Sequence, residues 1–209
     1  MFSFSTGDEM ERWPRVMATV LMLHSAYGLR PSVHRAASRL REQGHRVETP
    51  DLYGCGAIEP PRRGLDVRDS IGAEELLRRA SAAASRLPAE TVYLGFSLGA
   101  WLAQELAARN RLARGLVLLQ GLGIPGGQLS CPVQVHVSQG DLDRQELPVN
   151  SWVPLMRAQG NDLQTFVYET QGHLYMDEDL TEYDATACAL AWRRVDNFLL
   201  TCDSVEASP

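Results

Sequence analysis

Residues 91–110 read TVYLGFSLGAWLAQELAARN and contain the most informative local pattern of the chain. Thr91–Leu94 has the apolar and β-branched character of a buried strand, and helical spacing of apolar residues runs from Ala100 to Asn110. Gly95–Gly99 joins the two segments. A glycine on either side leaves room for a sharp turn that holds the central residue, Ser97, in a strained conformation. This stretch therefore predicts a strand, a tight turn and a helix, with a serine at the apex.

The segments outside this turn continue the same alternation of strands and helices. Strands are predicted at residues 16–23, 45–49, 91–94, 115–120, 132–137 and 163–168, and helices at about 32–43, 71–87, 100–110, 151–158 and 185–200. Repeated alternation predicts a compact single-domain α/β fold, with a mostly parallel sheet of about six strands and helices on both faces. The 11 residues between Gln120 and Pro132 hold at most a short helix, so no lid domain is expected. We expect this domain to span residues 16–201, after a weakly ordered N-terminal arm at 1–15 and before a tail at 202–209.

Composition and charge exclude several classes of function. The chain has 209 residues, and its 20 basic and 26 acidic residues give a net charge of −6, which disfavours nucleic acid and anionic membranes as partners. Every basic residue is an arginine, so chemistry that needs a lysine amine, such as a Schiff base or a P-loop, is excluded. Four scattered cysteines without a C-x-x-C pair argue against a zinc site and a disulfide framework. We expect a cytoplasmic protein, because neither a secretory signal nor a membrane-spanning apolar run is found.

A serine at such a turn predicts two partners further along the chain. Its hydroxyl is a weak nucleophile until a base removes the proton, and the expected chain order is serine, acid, histidine. His173, in a loop directly after the last predicted strand, is the candidate base. Asp141 and Asp143 both follow the strand before it, and we favour Asp141 because it is the first acid after that strand. The carboxyl ends of parallel strands meet at one edge of the sheet, so these side chains should converge with Ser97.

Acyl transfer also needs hydrogen-bond donors for the oxyanion and a pocket for the substrate. The predicted donors are the backbone N–H groups of Leu98, next to the serine, and of Ala26, in the loop after the first strand. Tyr27, Phe96 and Tyr53 lie near predicted strand ends and are the candidate pocket residues.

Several stretches resemble the dienelactone hydrolase family of α/β-hydrolases over residues 16 to about 200. They are LHSAYGL, LREQGHRVETPDLYG, GFSLGA, PVQVHV with its following acid, and QGHLY. The resemblance implies hydrolysis of an ester or lactone by a monomer or weak homodimer without a metal or organic cofactor. This chain departs from the family pattern in having Ser97 at the position of the nucleophilic cysteine and Ser25 at the position of a glutamate. Arg62 and Arg63 are positional candidates for the arginines that hold a substrate carboxylate in the family.

The sequence thus predicts a serine hydrolase that cleaves a small carboxylic ester or lactone through a Ser97, His173 and Asp141 triad and an acyl-enzyme intermediate. Two alternatives remain open at this point. One is a binding module that keeps the α/β-hydrolase fold without catalysis. The other is an acyltransferase or peptidase that uses the same three residues.

Overall fold

The computed structural model describes residues 17–124 and 128–203, which contain one six-stranded, entirely parallel sheet. Its strands are β1 (Thr19–Leu23), β2 (Arg46–Glu48), β3 (Val92–Phe96), β4 (Gly115–Leu119), β5 (Val133–Ser138) and β6 (Leu163–Tyr168). They lie side by side in the order β2-β1-β3-β4-β5-β6. The predicted α/β fold class is confirmed. The expected N-terminal arm and most of the expected tail lie outside the described residues.

Seven helices lie between or after the strands in this part of the chain. They are α1 (Pro31–Glu42), α2 (Arg63–Ile71), α3 (Ala73–Ala84), α4 (Leu98–Arg109), α5 (Gln139–Asp143), α6 (Val149–Ala158) and α7 (Ala185–Asp203). Pro31 opens α1, where its missing N–H costs nothing and its fixed φ suits a helix. None of the helices described is long and apolar enough to cross a bilayer.

Two of these helices depart from the sequence prediction. The helix expected at 71–87 is observed as α3, and α2 precedes it in a segment where no helix was predicted. Gly72, with a φ of +82°, separates the two helices. Helix α5 begins directly after β5 and contains Asp141, which we expected in a loop. The side chain of Ser138 caps α5 by accepting a hydrogen bond of 3.0 Å from the Asp141 N–H. The residues of a five-residue helix are too few to show helical periodicity, so this element left no signal in the sequence.

Alternation along the strands divides the core between the two faces of the sheet. In β1, Val20 and Met22 face one side while Leu21 and Leu23 face the other. Helices α1 and α7 cover the first side, and α3, α4 and α6 cover the second. Because the interior strands are covered on both faces, they are apolar throughout, as in β4, where all five residues are buried.

Candidate active site

Ser97 occupies the sharp turn between β3 and α4. Its φ of +51° and ψ of −108° lie in a region that residues with a side chain rarely adopt. A Cβ at Gly95 would overlap the carbonyl oxygen of Gly99, and one at Gly99 would overlap that of Leu23. Both positions therefore require glycine, since α4 packs directly against β3 and β1 at this point. The strained turn leaves the serine hydroxyl at the carboxyl edge of the sheet.

The structure joins the three candidate triad residues in one chain of hydrogen bonds. Ser97 Oγ lies 2.9 Å from His173 Nε2, and His173 Nδ1 lies 2.9 Å from Asp141 Oδ1. An ionised carboxylate only accepts hydrogen bonds, so Nδ1 carries the proton. Nε2 is then left as an acceptor that faces the serine hydroxyl. This is the arrangement in which an imidazole can remove the serine proton during nucleophilic attack.

The two candidate acids are separated by their environments. The Asp141 side chain is fully buried and faces His173, whereas Asp143 is exposed and accepts a hydrogen bond of 2.7 Å from Gln139. Arg144 Nη2 lies 3.4 Å from the same Asp141 oxygen that bonds His173. A Cβ at Gly140 would overlap the carbonyl oxygen of Gln171, so this glycine lets α5 approach the loop that carries the histidine. The structure therefore pairs His173 with Asp141 and leaves Asp143 at the surface.

Electrostatics favour an ion pair between the acid and the base. Burial by itself would raise the pKa of Asp141, but the hydrogen bond and charge of His173, with smaller contributions from Ser138 and Arg144, outweigh it and lower the pKa. Burial would likewise lower the pKa of His173, yet the hydrogen bond and charge of Asp141, with a smaller contribution from the Glu182 charge, raise it. If His173 takes a proton from Ser97, the resulting imidazolium is therefore stabilised by the adjacent Asp141 carboxylate.

The two predicted oxyanion donors come from separate segments of the chain. Leu98 is the first residue of α4, and Ala26 lies in the buried loop after β1. Neither backbone N–H donates a hydrogen bond to another of the residues that the structure describes. Both groups are thus free to donate to a substrate oxygen. The start of α4 adds the positive end of its helix dipole beside Ser97.

Tyr53 has a different position from the one the sequence suggested. It is 7% exposed, packs within the core on the α3 and α4 side, and donates a hydrogen bond of 3.0 Å from its hydroxyl to the Ala26 carbonyl. Tyr53 therefore packs in the core and holds the loop that carries Ala26. A Cβ at Gly64 would overlap the same carbonyl, so α2 packs against this loop as well.

A cavity of about 350 Å³ opens on the α1 and α7 side of the sheet, and Ser97, Asp141 and His173 are not among the residues that line it. Phe96 and Leu174, the chain neighbours of the serine and the histidine, are in its wall, as are Ser25 and Gln120. Of the predicted pocket residues, Phe96 lines this cavity, while Tyr27 is half-buried and does not. Arg62 and Arg63 are exposed at the start of α2 and do not line it either.

Two residues that the sequence analysis missed hold the histidine loop in place. The Glu182 carboxylate accepts a hydrogen bond of 2.8 Å from the backbone N–H of His173. The Gln120 amide, oriented so that its oxygen faces the loop, accepts from Met176 N at 2.9 Å and from Tyr175 N at 3.2 Å. Gln120 is buried and has a φ of +58° directly after β4. In the sequence, Gln120 was marked only by its position at the end of a predicted strand. Nothing in the sequence marked Glu182.

One group of potential metal ligands occurs among the described residues. Donor atoms of Asp141, Glu146 and His173 lie within 4.8 Å of one another. Two of these three side chains already bond each other in the chain that leads to Ser97. A metal ion bound to His173 would occupy a ring nitrogen that the histidine uses either to accept the serine proton or to bond Asp141. The three side chains therefore suit proton transfer better than metal binding.

The covered parallel sheet, the strained serine and the histidine beyond the last strand define an α/β-hydrolase fold. The family model of the dienelactone hydrolase family matches residues 9–202, and the chain belongs to this family. It is accordingly a hydrolase.

Solved structures support the fold at low sequence identity. A dienelactone hydrolase-like promiscuous phosphotriesterase from metagenomic libraries is 22% identical with a TM-score of 0.72, over 93% of this chain and 90% of that one. A phospholipase/carboxylesterase from Dyadobacter fermentans is 19% identical with a TM-score of 0.58, over 90% and 91%. Esterase 2 from Thermogutta terrifontis is 13% identical with a TM-score of 0.64, over 95% and 89%. The comparison with curated proteins gave no match.

Proposed function

We propose that the protein hydrolyses a small carboxylic ester or lactone through an acyl-enzyme intermediate on Ser97. The observation that carries this proposal is the continuous chain of 2.9 Å contacts from Ser97 Oγ through the His173 ring to Asp141. A structural role alone would not require a serine in a strained turn facing the unprotonated nitrogen of a histidine.

The geometry supports a two-step reaction. His173 Nε2 takes the Ser97 proton as Oγ attacks the carbonyl carbon, and Asp141 stabilises the imidazolium that results. The backbone N–H groups of Ala26 and Leu98 hold the oxyanion, and His173 then protonates the leaving alkoxide. A water molecule, deprotonated by the same nitrogen, attacks the acyl-serine and releases the carboxylic acid and the free serine. In a lactone, the alcohol and the acid remain in one product.

Related proteins are consistent with this proposal. Esterase and carboxylesterase are the activities that the names of two similar structures give. In this chain, serine replaces the cysteine of the family pattern and Ser25 replaces its glutamate. A serine depends on base assistance at the moment of attack, and the bond from Ser97 to His173 supplies that assistance without a carboxylate at position 25.

The test is a steady-state comparison of wild type with Ser97→Ala and His173→Ala on 4-nitrophenyl acetate, a γ-lactone and a 4-nitroanilide. We expect turnover of the ester and the lactone, and each variant should lose about 10³-fold or more in kcat with an unchanged melting temperature. Preference for the anilide would favour a peptidase. If an added alcohol were converted to a new ester and less free acid were formed, the result would indicate an acyltransferase. Activity above one tenth of wild type in either variant would contradict the proposal.

A further inference from the structure

The loop after β1 carries Ser25 to the edge of the sheet where Ser97 lies. Leu23 of β1 pairs with Gly95 of β3, and neighbouring strands of a sheet lie about 4.8 Å apart. Ser25 and Ser97 each follow this pair by two positions. The two serines therefore leave the sheet on adjacent chains at its carboxyl edge.

The same loop also contacts the first turn of α4. A Cβ at Gly99 would overlap the carbonyl oxygen of His24, the residue before Ser25. Leu98, which carries one of the predicted oxyanion donors, directly precedes Gly99, and Ala26, which carries the other, directly follows Ser25. Ser25 is thus close in the chain or across this contact to both backbone N–H groups.

Hydrogen bonds fix the position of Ser25 within the loop. Its carbonyl oxygen accepts from His24 Nδ1 at 2.8 Å and from the Gly28 N–H at 3.1 Å. Its Oγ accepts from the Tyr27 N–H at 3.2 Å. Because both its main chain and its side chain are held, the hydroxyl needs little reorganisation to meet a substrate.

The Ser25 hydroxyl still has a proton to donate. A serine hydroxyl has one proton and two lone pairs, and the bond from Tyr27 uses only a lone pair. Among the residues that the structure describes, none accepts this proton in a hydrogen bond. Ser25 is 5% exposed and lines the cavity together with Phe96, the residue before Ser97. A buried donor without an acceptor costs free energy, which a substrate oxygen at this position would recover.

We propose that the Ser25 hydroxyl is a third hydrogen-bond donor to the oxyanion that forms when Ser97 attacks the ester carbonyl. It acts together with the backbone N–H groups of Ala26 and Leu98. The inference rests on the proposed ester hydrolysis and adds a catalytic residue to it. A carboxylate at position 25, as in the family pattern, would repel an oxyanion, whereas a hydroxyl can donate to it.

The first experiment removes the hydroxyl and measures the hydrolysis of 4-nitrophenyl butyrate. Ser25→Ala should lower kcat by about tenfold or more while KM stays within about twofold, because the bond forms mainly in the transition state. Ser32→Ala removes a hydroxyl from the α1 wall of the same cavity and is the matched control, with kcat within about twofold of wild type. A wild-type kcat in Ser25→Ala, or an equal loss in both variants, would overturn the proposal.

A pair of variants of matched shape separates the hydroxyl from the packing of the loop. Ser25→Thr keeps the hydroxyl, and Ser25→Val has the same branched shape without it. We expect kcat to be higher in Ser25→Thr by about tenfold or more, with equal melting temperatures. Equal kcat values in the two variants would overturn the proposal even if Ser25→Ala failed to fold.

The second experiment measures the inhibition constant of 1,1,1-trifluoro-2-pentanone, which has the same butyryl group. A serine nucleophile adds to this ketone and forms a tetrahedral adduct with an oxyanion and no leaving group. Its inhibition constant should rise in Ser25→Ala by about the factor by which kcat falls. An unchanged inhibition constant in a folded Ser25→Ala protein with reduced kcat would limit Ser25 to supporting the loop and would overturn the proposal.

The third experiment tests which substrate oxygen accepts the bond. S-(4-nitrophenyl) thiobutyrate keeps the carbonyl oxygen and replaces the leaving oxygen with sulfur, a weak acceptor. Ser25→Ala should lose the same factor in kcat on this thioester as on the oxygen ester. A loss confined to the oxygen ester would assign the hydroxyl to the leaving group and overturn the proposal. A wild-type protein that neither hydrolyses these esters nor binds the ketone would instead contradict the proposed function.

Discussion

Asp141 and Asp143 have the same side chain two positions apart, yet their environments are opposite. Asp141 is fully buried against His173, and Asp143 is exposed beside Gln139. Asp141→Asn replaces the acceptor that holds the His173 proton on Nδ1, so the wrong tautomer becomes available. We predict a fall in kcat of about 10²- to 10⁴-fold on 4-nitrophenyl acetate.

Asp143→Asn is the matched control for that substitution, since it makes the same chemical change in the same helix. It should retain kcat within about twofold, because a surface hydrogen bond of this kind contributes little. If the control lost as much activity as Asp141→Asn, the assignment of the acid would be wrong.

Glu182 contributes a negative charge that raises the pKa of His173. The base must be neutral to act, so kcat/KM should rise with pH through this pKa, above the ordinary value for histidine. Glu182→Gln keeps an oxygen that can accept the His173 N–H but removes the charge that stabilises the imidazolium. We predict that the rise moves to lower pH in a pH–rate profile.

Glu178→Gln, on an exposed carboxylate of the segment that follows His173, is the comparison for that experiment. It should leave the profile in place, because Glu178 is not among the charges that shift the pKa of His173. A shift of the Glu182→Gln profile to higher pH would contradict the assigned electrostatics.

At the scale of single residues, the sequence indicated the three side chains that the structure joins by hydrogen bonds, but not the residues that support them. Ser97 was marked by two glycines, and His173 by its place after the last strand. Glu182 lies nine positions after His173 in an irregular segment, where no periodicity relates the two. Tyr53 was assigned to the pocket from its nearness to a strand end, but which side an aromatic ring takes depends on packing with α3 and α4.

Between elements, the end of β4 is coupled to the histidine loop through Gln120. Its side chain accepts two backbone N–H groups of the residues after Leu174. Gln120→Leu would leave these buried donors unpaired and free the loop to shift. A displacement of the base by about 1 Å costs on the order of 10²-fold in rate, so we predict a loss of roughly 10- to 100-fold in kcat.

Gln104→Leu provides the matched control, because Gln104 is a buried glutamine that bonds Gly123 N and Ile124 O on the α4 side. Both variants should lower the melting temperature, and only Gln120→Leu should lower kcat. Gln120→Glu keeps the acceptor and should restore kcat while its added charge moves the pH–rate profile upward. Equal losses of kcat in the two leucine variants would show that Gln120 only stabilises the fold and does not position His173.

The element boundaries show where local sequence information ends. The strand, turn and helix around Ser97 were predicted because each has a strong local signal. Gly72 divides α2 from α3 through its positive φ, and one glycine within an Ala- and Arg-rich stretch does not reveal that conformation. Helix α5 depends on the cap from Ser138, which becomes visible only once the end of β5 is known.

At the scale of the whole molecule, the two faces of the sheet differ in how tightly they are covered. The α3, α4 and α6 side is closed by large buried side chains such as Trp152. The α1 and α7 side contains the cavity. Its walls come from helices more than 140 residues apart in the chain, as the bond from Arg39 to Asp196 illustrates. A local sequence pattern carries no information on such a long-range contact, so the fold could be predicted from the sequence but the cavity could not.

In the proposed reaction, Ser97 is the nucleophile and His173 activates it. The most direct measurement is the intact mass of the protein after treatment with a fluorophosphonate probe, followed by peptide mapping. We predict a single adduct on Ser97, no adduct in Ser97→Ala, and labelling slowed by about 10³-fold in His173→Ala, with all three proteins folded. A wild-type protein that stays unlabelled, or an adduct that persists in Ser97→Ala, would contradict the claim and favour a binding module built on the α/β-hydrolase fold.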